Sequence, residues 1–333
     1  MNVLLLTSHS IAEYDDLRML TDLGYDTFSI GAYTDPSSPS DDKRPALDVP
    51  YYADLAALCE TQRQTYGDPG PYIDWAKARL HPDIIDWADV IICHHFPERW
   101  LVPQWEQIRR KRVIWRTCGQ SAPDGSLEAI MRHLHGLEIV RYSPKERSLP
   151  SFAGETALIR FGKYPDDYPV WRGDDAVVGN VTQHMAQRGD ACGFRFWTEA
   201  TQGLSVRPAG PGSEVLRGGI GSLTYDAMLD YLRDVRTYLY TGTTPASYTL
   251  GLMEAMFVGT PIVSIGAQSF GLPDLFEGAD ITFDAQDDPD EARRSLALYL
   301  ESPNDTVAGM QRYRANALFG MDTIGPQWTA LLG

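Results

Sequence analysis

The stretch Tyr240–Ile265, YTGTTPASYTLGLMEAMFVGTPIVSI, decides how this chain is read. It opens as the end of an apolar strand, passes through small and hydroxyl residues, and runs into a helical pattern carrying Glu254. Gly259 is a helix stop, and Pro261 opens a second apolar strand. Thr249 to Gly251 stand where the helix begins. There the unpaired backbone N–H groups and the positive end of the helix dipole point outward together, a combination that favours a phosphate.

Working outward, short apolar runs alternate with helical patterns in both directions. Before residue 160 the strand candidates are Val3–Leu6, Thr27–Ile30, Ala88–Cys93, Arg112–Trp115, Leu137–Tyr142 and Ala157–Phe161. After residue 175 they are Ala176–Val181, Leu204–Pro208, Tyr238–Thr241, Pro261–Ile265 and Ile281–Phe283, with helical patterns at Tyr225–Arg236, Leu250–Phe257 and Glu291–Glu301. Runs that are apolar throughout suit parallel strands covered on both faces. The prolines, glycines and aspartates of FGKYPDDYPVWRGDD separate the two series. The expected architecture is therefore α/β, with two Rossmann-like doubly wound domains facing across a cleft. An N-terminal domain would span 1–160, a linker 161–175 and a second domain 176–309, with a helix at 310–333 placed to pack back on the first.

The 333 residues carry 45 acidic against 29 basic side chains, a formal net charge of −16. With 43% hydrophobic and 22% charged residues the composition is that of an ordinary globular protein, not of a disordered or fibrous one. The acidic balance speaks against a general nucleic-acid binder or a membrane-surface protein. No apolar run reaches the ~18 residues of a membrane span, and MNVLLLTSHS lacks the basic flank of a signal peptide. Cys59, Cys93, Cys118 and Cys192 form no Cys-x-x-Cys pair and read as reduced thiols, so a cytoplasmic protein is expected. All five lysines, Lys43, Lys77, Lys111, Lys145 and Lys163, fall in the first half, which leaves cation work in the second domain to arginine.

The run LGLMEAMFVGTPIV resembles the signature of retaining GT-B glycosyltransferases, in which a Glu-x7-Glu element leads into Glu-Ala-Met and a Gly-x-Pro strand. The resemblance extends upstream through PAGPGSE (Pro208–Glu214) and downstream through GLPDLFEG (Gly271–Gly278), while the first domain matches only in its rhythm of strands and helices. It implies a GT-B enzyme moving a hexosyl or pentosyl group from a nucleotide diphosphate sugar, UDP-sugar favoured, to an acceptor hydroxyl with retention. The resemblance assigns the ribose hydroxyls to Glu254 and the diphosphate to the amides around Thr249, Leu250 and Gly251. Ser247, Tyr248 and Gly210 would join the donor site, and Arg188 would meet the charge that grows on the leaving phosphate, for which its fork of donors suits it. Ala246 stands where the family's first glutamate normally contacts the donor sugar, so either sugar recognition differs or the site is degenerate; the otherwise complete phosphate loop favours the former.

Other residues are weighed one by one. His9, His94 and His95 follow apolar runs at the carboxyl edge of a parallel sheet, where ligands bind; His9 and His95 are candidates for acceptor or donor contact, unless they are histidines satisfied at a loop edge. His184 is four residues before Arg188 and suits either a phosphate or a helix face. Asp288-Pro289-Asp290 reads as a helix start, Asp288 capping and Pro289 in the first turn, not as a metal pair. No cluster has metal-ligand spacing and no cofactor is expected. Neither a dinucleotide fingerprint nor a Gly-x-Ser-x-Gly elbow is present. Arg109-Arg110-Lys111-Arg112 is the one dense basic run. As a solvated helix end it is unremarkable; facing the crevice it would suit an anionic acceptor. Besides a small molecule or glycan, that keeps a hydroxymethylated DNA base, extruded from its duplex, as a conceivable acceptor. The same residues would also suit a sugar-nucleotide binding protein without catalysis, or a sugar-nucleotide epimerase.

Overall fold

The computed structural model describes all residues except 39–43, 67–78, 95, 120–123, 245 and 267–282. The chain divides into two units, Met1–Gly162 with Ile324–Gly333, and Lys163–Thr323. Each holds one sheet whose pairings are all parallel, as runs without apolar–polar alternation predict.

The first unit's strands are β1 Asn2–Leu6, β2 Asp26–Ile30, β3 Val90–Cys93, β4 Arg112–Arg116, β5 Glu138–Arg141 and β6 Ala157–Leu158, in the order β2-β1-β3-β4-β5-β6. Leu4 is in register with Phe28 on one side and Ile91 on the other. These residues are all but fully buried, with Trp115, Val113 and Ile84 in the same core. After the second strand the chain returns to the far side of β1. In a doubly wound sheet the ligand crevice lies beyond the carboxyl ends at such a reversal, here between β1 and β3.

The terminal helix Met321–Leu332 contributes Trp328 to this unit, fully buried with the Arg116 guanidinium 4.9 Å over its ring. Its last carbonyls, Leu331 and Leu332, accept from Arg112 at 2.8 and 3.3 Å. A cation there satisfies orphan carbonyls and opposes the negative end of the helix dipole.

The second unit repeats the plan. Its strands are β7 Asp175–Val181, β8 Val206–Ala209, β9 Val235–Tyr240, β10 Ile262–Ile265 and β11 Phe283–Gln286, in the order β11-β10-β9-β7-β8. The reversal falls between β7 and β9, which pair with Val178 opposite Thr237. Several expected strand and helix boundaries move by one to three residues; among the largest shifts is that of β9, expected from Tyr238 and found from Val235, because the helical pattern drawn to Arg236 ends at Asp234. Arg233 and Arg172 both pair with Asp234 there, so the helix stops on an ion-pair cluster and passes into the strand with no intervening loop. Asp288 caps the helix Pro289–Glu301 by accepting from the Asp290 amide, with Pro289 in its first turn, as the sequence predicts.

Candidate functional site

The second unit gathers most of the singled-out residues at its reversal point. After β9 the chain runs through Thr241 to Tyr248 and enters the helix Leu250–Val258, whose N-cap is Thr249. The Thr249 hydroxyl accepts from the Leu252 amide at 3.3 Å, and the helix ends at Gly259 with φ 91°, a left-handed turn that glycine adopts without strain. A threonine cap takes up one of the first-turn amides and leaves those of Leu250 and Gly251 without an intrahelical partner. The helix start also lies close on the sheet: a side chain added at Gly251 would touch the Val181 carbonyl, the last of β7.

Below it, Tyr238 clamps the two strands at the reversal, its hydroxyl accepting from the Val181 amide at 3.0 Å. Burial drives its phenol well above the ordinary tyrosine range, the Val181 amide pulls the other way, and the Glu254 charge adds a smaller upward push. Gly251, about one turn before Glu254, comes close to the Tyr238 hydroxyl, so the helix that carries Glu254 starts over the floor of the reversal point. Two buried polar atoms at the same carboxyl ends, Asn180 Oδ1 on β7 and Thr241 Oγ1 just past β9, have no partner among the described residues. Buried polar atoms left unmatched are rare in proteins and mark places built for a water or a ligand.

The loops after β7 and β8 close one side. His184 donates its amide to the Pro211 carbonyl at 2.7 Å and holds a left-handed backbone at φ 52°, a conformation that costs a non-glycine residue and persists where its surroundings enforce it. A side chain at Gly212 would strike the His184 imidazole, and one at Gly210 would crowd the Thr182 carbonyl. Arg188 ends the short helix Met185–Arg188. It is exposed, its guanidinium reaches the Gln183 carbonyl at 3.5 Å, and it has no acidic partner among the described residues.

Ser247 and Tyr248 are buried, Tyr248 with its ring 5.3 Å from that of Phe319, so they support the loop from beneath. Ala246 pairs with Thr243 in an isolated antiparallel bridge. Glu254 is 4% exposed, and its Oε1 lies 3.4 Å from Lys163 Nζ. The expectation that arginine alone supplies cations in the second domain is therefore corrected. Lys163 opens that unit and reaches Glu254 across 91 positions of sequence, a pairing that no local pattern encodes.

In the first unit, His9 follows β1 but spends Nδ1 as an N-cap, accepting from the Ala12 amide at 3.3 Å. His94 follows β3 and is buried, with Nε2 2.9 Å from Asp16. His95 and the stretch Gly271–Gly278 lie outside the described residues. Glu13 accepts from Ser29, Ala32 and Tyr33, tying down the loop after β2. The basic run sits at the amino end of β4, opposite the carboxyl edge. Arg109 pairs with Glu106, Arg110 with Asp86 and Arg112 with Glu138, while Lys111 donates to the Asp86 carbonyl.

No protein-family model matches the sequence, and no curated protein sequence matches it. Solved structures do. A sucrose-phosphate synthase from Thermosynechococcus elongatus matches with a TM-score of 0.66 at 15% identity, over 99% of this chain and 98% of its own. Anabaena HepE, solved in complex with UDP-glucose, matches with 0.67 at 14% identity, over 100% and 99%. A glycosyltransferase from Rickettsia africae gives 0.65 at 9% identity, over 99% and 97%. At such identities the likeness is one of fold, and the fold is the two-domain, parallel-sheet α/β arrangement of GT-B glycosyltransferases.

Proposed function

We propose that the protein transfers a sugar from a nucleotide diphosphate sugar, a UDP-sugar in the first instance, to an acceptor hydroxyl, with the donor seated at the reversal point of the second sheet. One observation carries this reading. The Thr249-capped helix start and the unmatched Asn180 and Thr241 oxygens lie at the carboxyl ends of β7 and β9, where a doubly wound sheet receives its ligand, with Arg188 in the segment that follows β7 and Glu254 about one turn into the helix. Near end-to-end likeness to a protein solved with UDP-glucose supports the choice of nucleotide.

In this reading the amides of Leu250 and Gly251 and the Arg188 guanidinium receive the diphosphate, and Glu254 accepts from the ribose hydroxyls. Breaking the bond between the anomeric carbon and phosphate leaves added negative charge on the diphosphate, which donors already in place stabilise without reorganising. The acceptor oxygen forms its new bond on the face the phosphate leaves, and its proton passes to a diphosphate oxygen. No protein nucleophile takes part, no metal is assigned to the site, and configuration is retained. With Ala246 in place of a carboxylate, neighbouring groups of the loop select the sugar.

A thermal-shift series with UDP, GDP, ADP and their sugars tests this, because a ligand of the folded form alone raises the melting temperature. UDP and one UDP-sugar should stabilise the chain, and sugar release from that donor should follow. A chain indifferent to every nucleotide diphosphate would end the reading.

A further inference from the structure

Lys163 and Glu254 are the only buried charged side chains of the second unit among the described residues. Glu254 stands in a helix whose other buried members are Leu252, Met253, Ala255, Met256, Phe257 and Val258. A carboxylate in such surroundings carries a heavy desolvation cost unless a cation meets it, and two well-packed apolar residues would serve stability as well as the ion pair does. The pair calls for an explanation other than stability.

The backbone from which the Lys163 side chain springs is fixed on both sides. Its amide donates to the Phe319 carbonyl at 2.8 Å, and its own carbonyl accepts from the Met321 amide at 3.2 Å, so both backbone polar groups are fixed by the 319–321 segment. Phe319 in turn packs its ring against Tyr248, two residues before the helix that carries Glu254. One strap of two crossing segments thus touches the site twice, at the carboxylate through Lys163 Nζ and at the anion-binding loop through the Phe319 ring.

We propose that Lys163 is a positioning residue for the donor ribose: its ammonium holds the Glu254 carboxylate in the orientation that accepts from the ribose hydroxyls, without touching the nucleotide itself. The idea rests on the donor reading above. A group that orients a ligand-binding side chain from behind commonly matters to affinity nearly as much as the side chain it orients.

The test compares UDP with 2′,3′-dideoxy-UDP by isothermal titration on the full chain. Lys163→Met keeps the length of the side chain and removes the charge. It should weaken UDP about tenfold or more while leaving the dideoxy nucleotide within about twofold, because only the former has hydroxyls for Glu254 to hold. Glu254→Gln should show the same selectivity. Lys163→Met/Glu254→Gln should be no weaker than Glu254→Gln alone, since the two residues act in series. The double variant also lacks the uncompensated buried charge, so it serves where Lys163→Met fails to fold. Equal losses for both nucleotides, no loss at all, or additive losses in the double variant would overturn the proposal. A wild-type chain that binds neither nucleotide would instead overturn the donor reading.

Discussion

Arg116, the last residue of β4, is fully buried against Asp16 at 2.7 Å; Arg188, beyond the end of β7, is exposed with no acidic partner among the described residues. The two sheets reverse their strand order in the same way, so the difference lies in how their carboxyl ends use charge. Among the described residues the first unit buries Glu13, Asp15, Asp16, Arg44, His94, Arg116, Glu128, Arg141 and Glu146, while the second buries only Lys163 and Glu254. In the first unit these groups answer one another: Arg141 lies at 2.7 Å from Glu128, with the Trp115 and Phe152 rings beside its guanidinium. Polar groups spent on each other make a rigid edge. The second unit buries a single pair, Lys163 with Glu254, and leaves Arg188 beyond β7 exposed without an acidic partner among the described residues.

Removing a charge should therefore have opposite signatures in the two units. Arg141→Met leaves Glu128 and Glu146 buried without their cation and should destabilise the first unit by about 3–5 kcal/mol, read from the urea midpoint. Arg188→Ala should leave that midpoint within about 0.5 kcal/mol but lower kcat about a hundredfold, roughly 3 kcal/mol on the barrier, with a smaller change in UDP affinity. If Arg188→Ala unfolds the chain, or if Arg141→Met costs less than about 1 kcal/mol, the contrast between the units is mistaken.

That contrast was only half visible in the sequence. The helix Leu250–Val258, its Thr249 cap and its Gly259 stop are local features, each set by a few neighbouring residues, and they were legible. So was the cap at Asp288. The ion pairs were not. Arg141 belongs to β5, which the sequence shows only as a short strand, with nothing nearby to mark Glu128 as the partner of its guanidinium. Arg141 is nonetheless fully buried, because Glu128 approaches from a separate helix, Ser126–Met131. The basic run Arg109–Arg112 posed the reverse difficulty. Its composition suits a solvated helix end and, only if it faces the crevice, an anion site; its position at the amino end of β4 and its acidic partners are properties of the folded chain and fit the helix end.

A pH series sharpens the comparison further. Glu146 accepts from the Thr117 hydroxyl and the Tyr142 amide, yet its Oε1 has no hydrogen-bond partner among the described residues and lies 3.9 Å from Arg141. Burial is the largest influence and lifts its carboxyl from 4.5 to about 7, against the downward pull of Thr117, Arg141 and Tyr142; the nearby Glu128 adds to the rise. The folded chain therefore holds this proton more tightly than the unfolded chain does. The stability it confers is complete below pH 4.5, declines as pH rises and is gone above about 7, a change of about 3 kcal/mol for the first unit. Glu146→Gln should flatten the fall in urea midpoint between pH 5 and pH 8. Parallel slopes for the two proteins would show that Glu146 is not the group responsible.

The smallest effect is expected at His9, where the two units are most directly compared. Thr249 and His9 both cap the helix that follows a strand bordering the reversal, one with a hydroxyl and one with Nδ1. A ring whose Nδ1 accepts from the Ala12 amide carries its proton on Nε2 when neutral. Asparagine replaces such a cap at a cost of no more than about 0.5 kcal/mol. His9→Asn should consequently leave the urea midpoint, UDP affinity and kcat close to those of the parent, as expected if the imidazole only ends a helix. A kcat that drops tenfold with the midpoint unchanged would assign Nε2 to the substrate, and the carboxyl edge of the first unit would then share in the chemistry that this comparison reserves for the second.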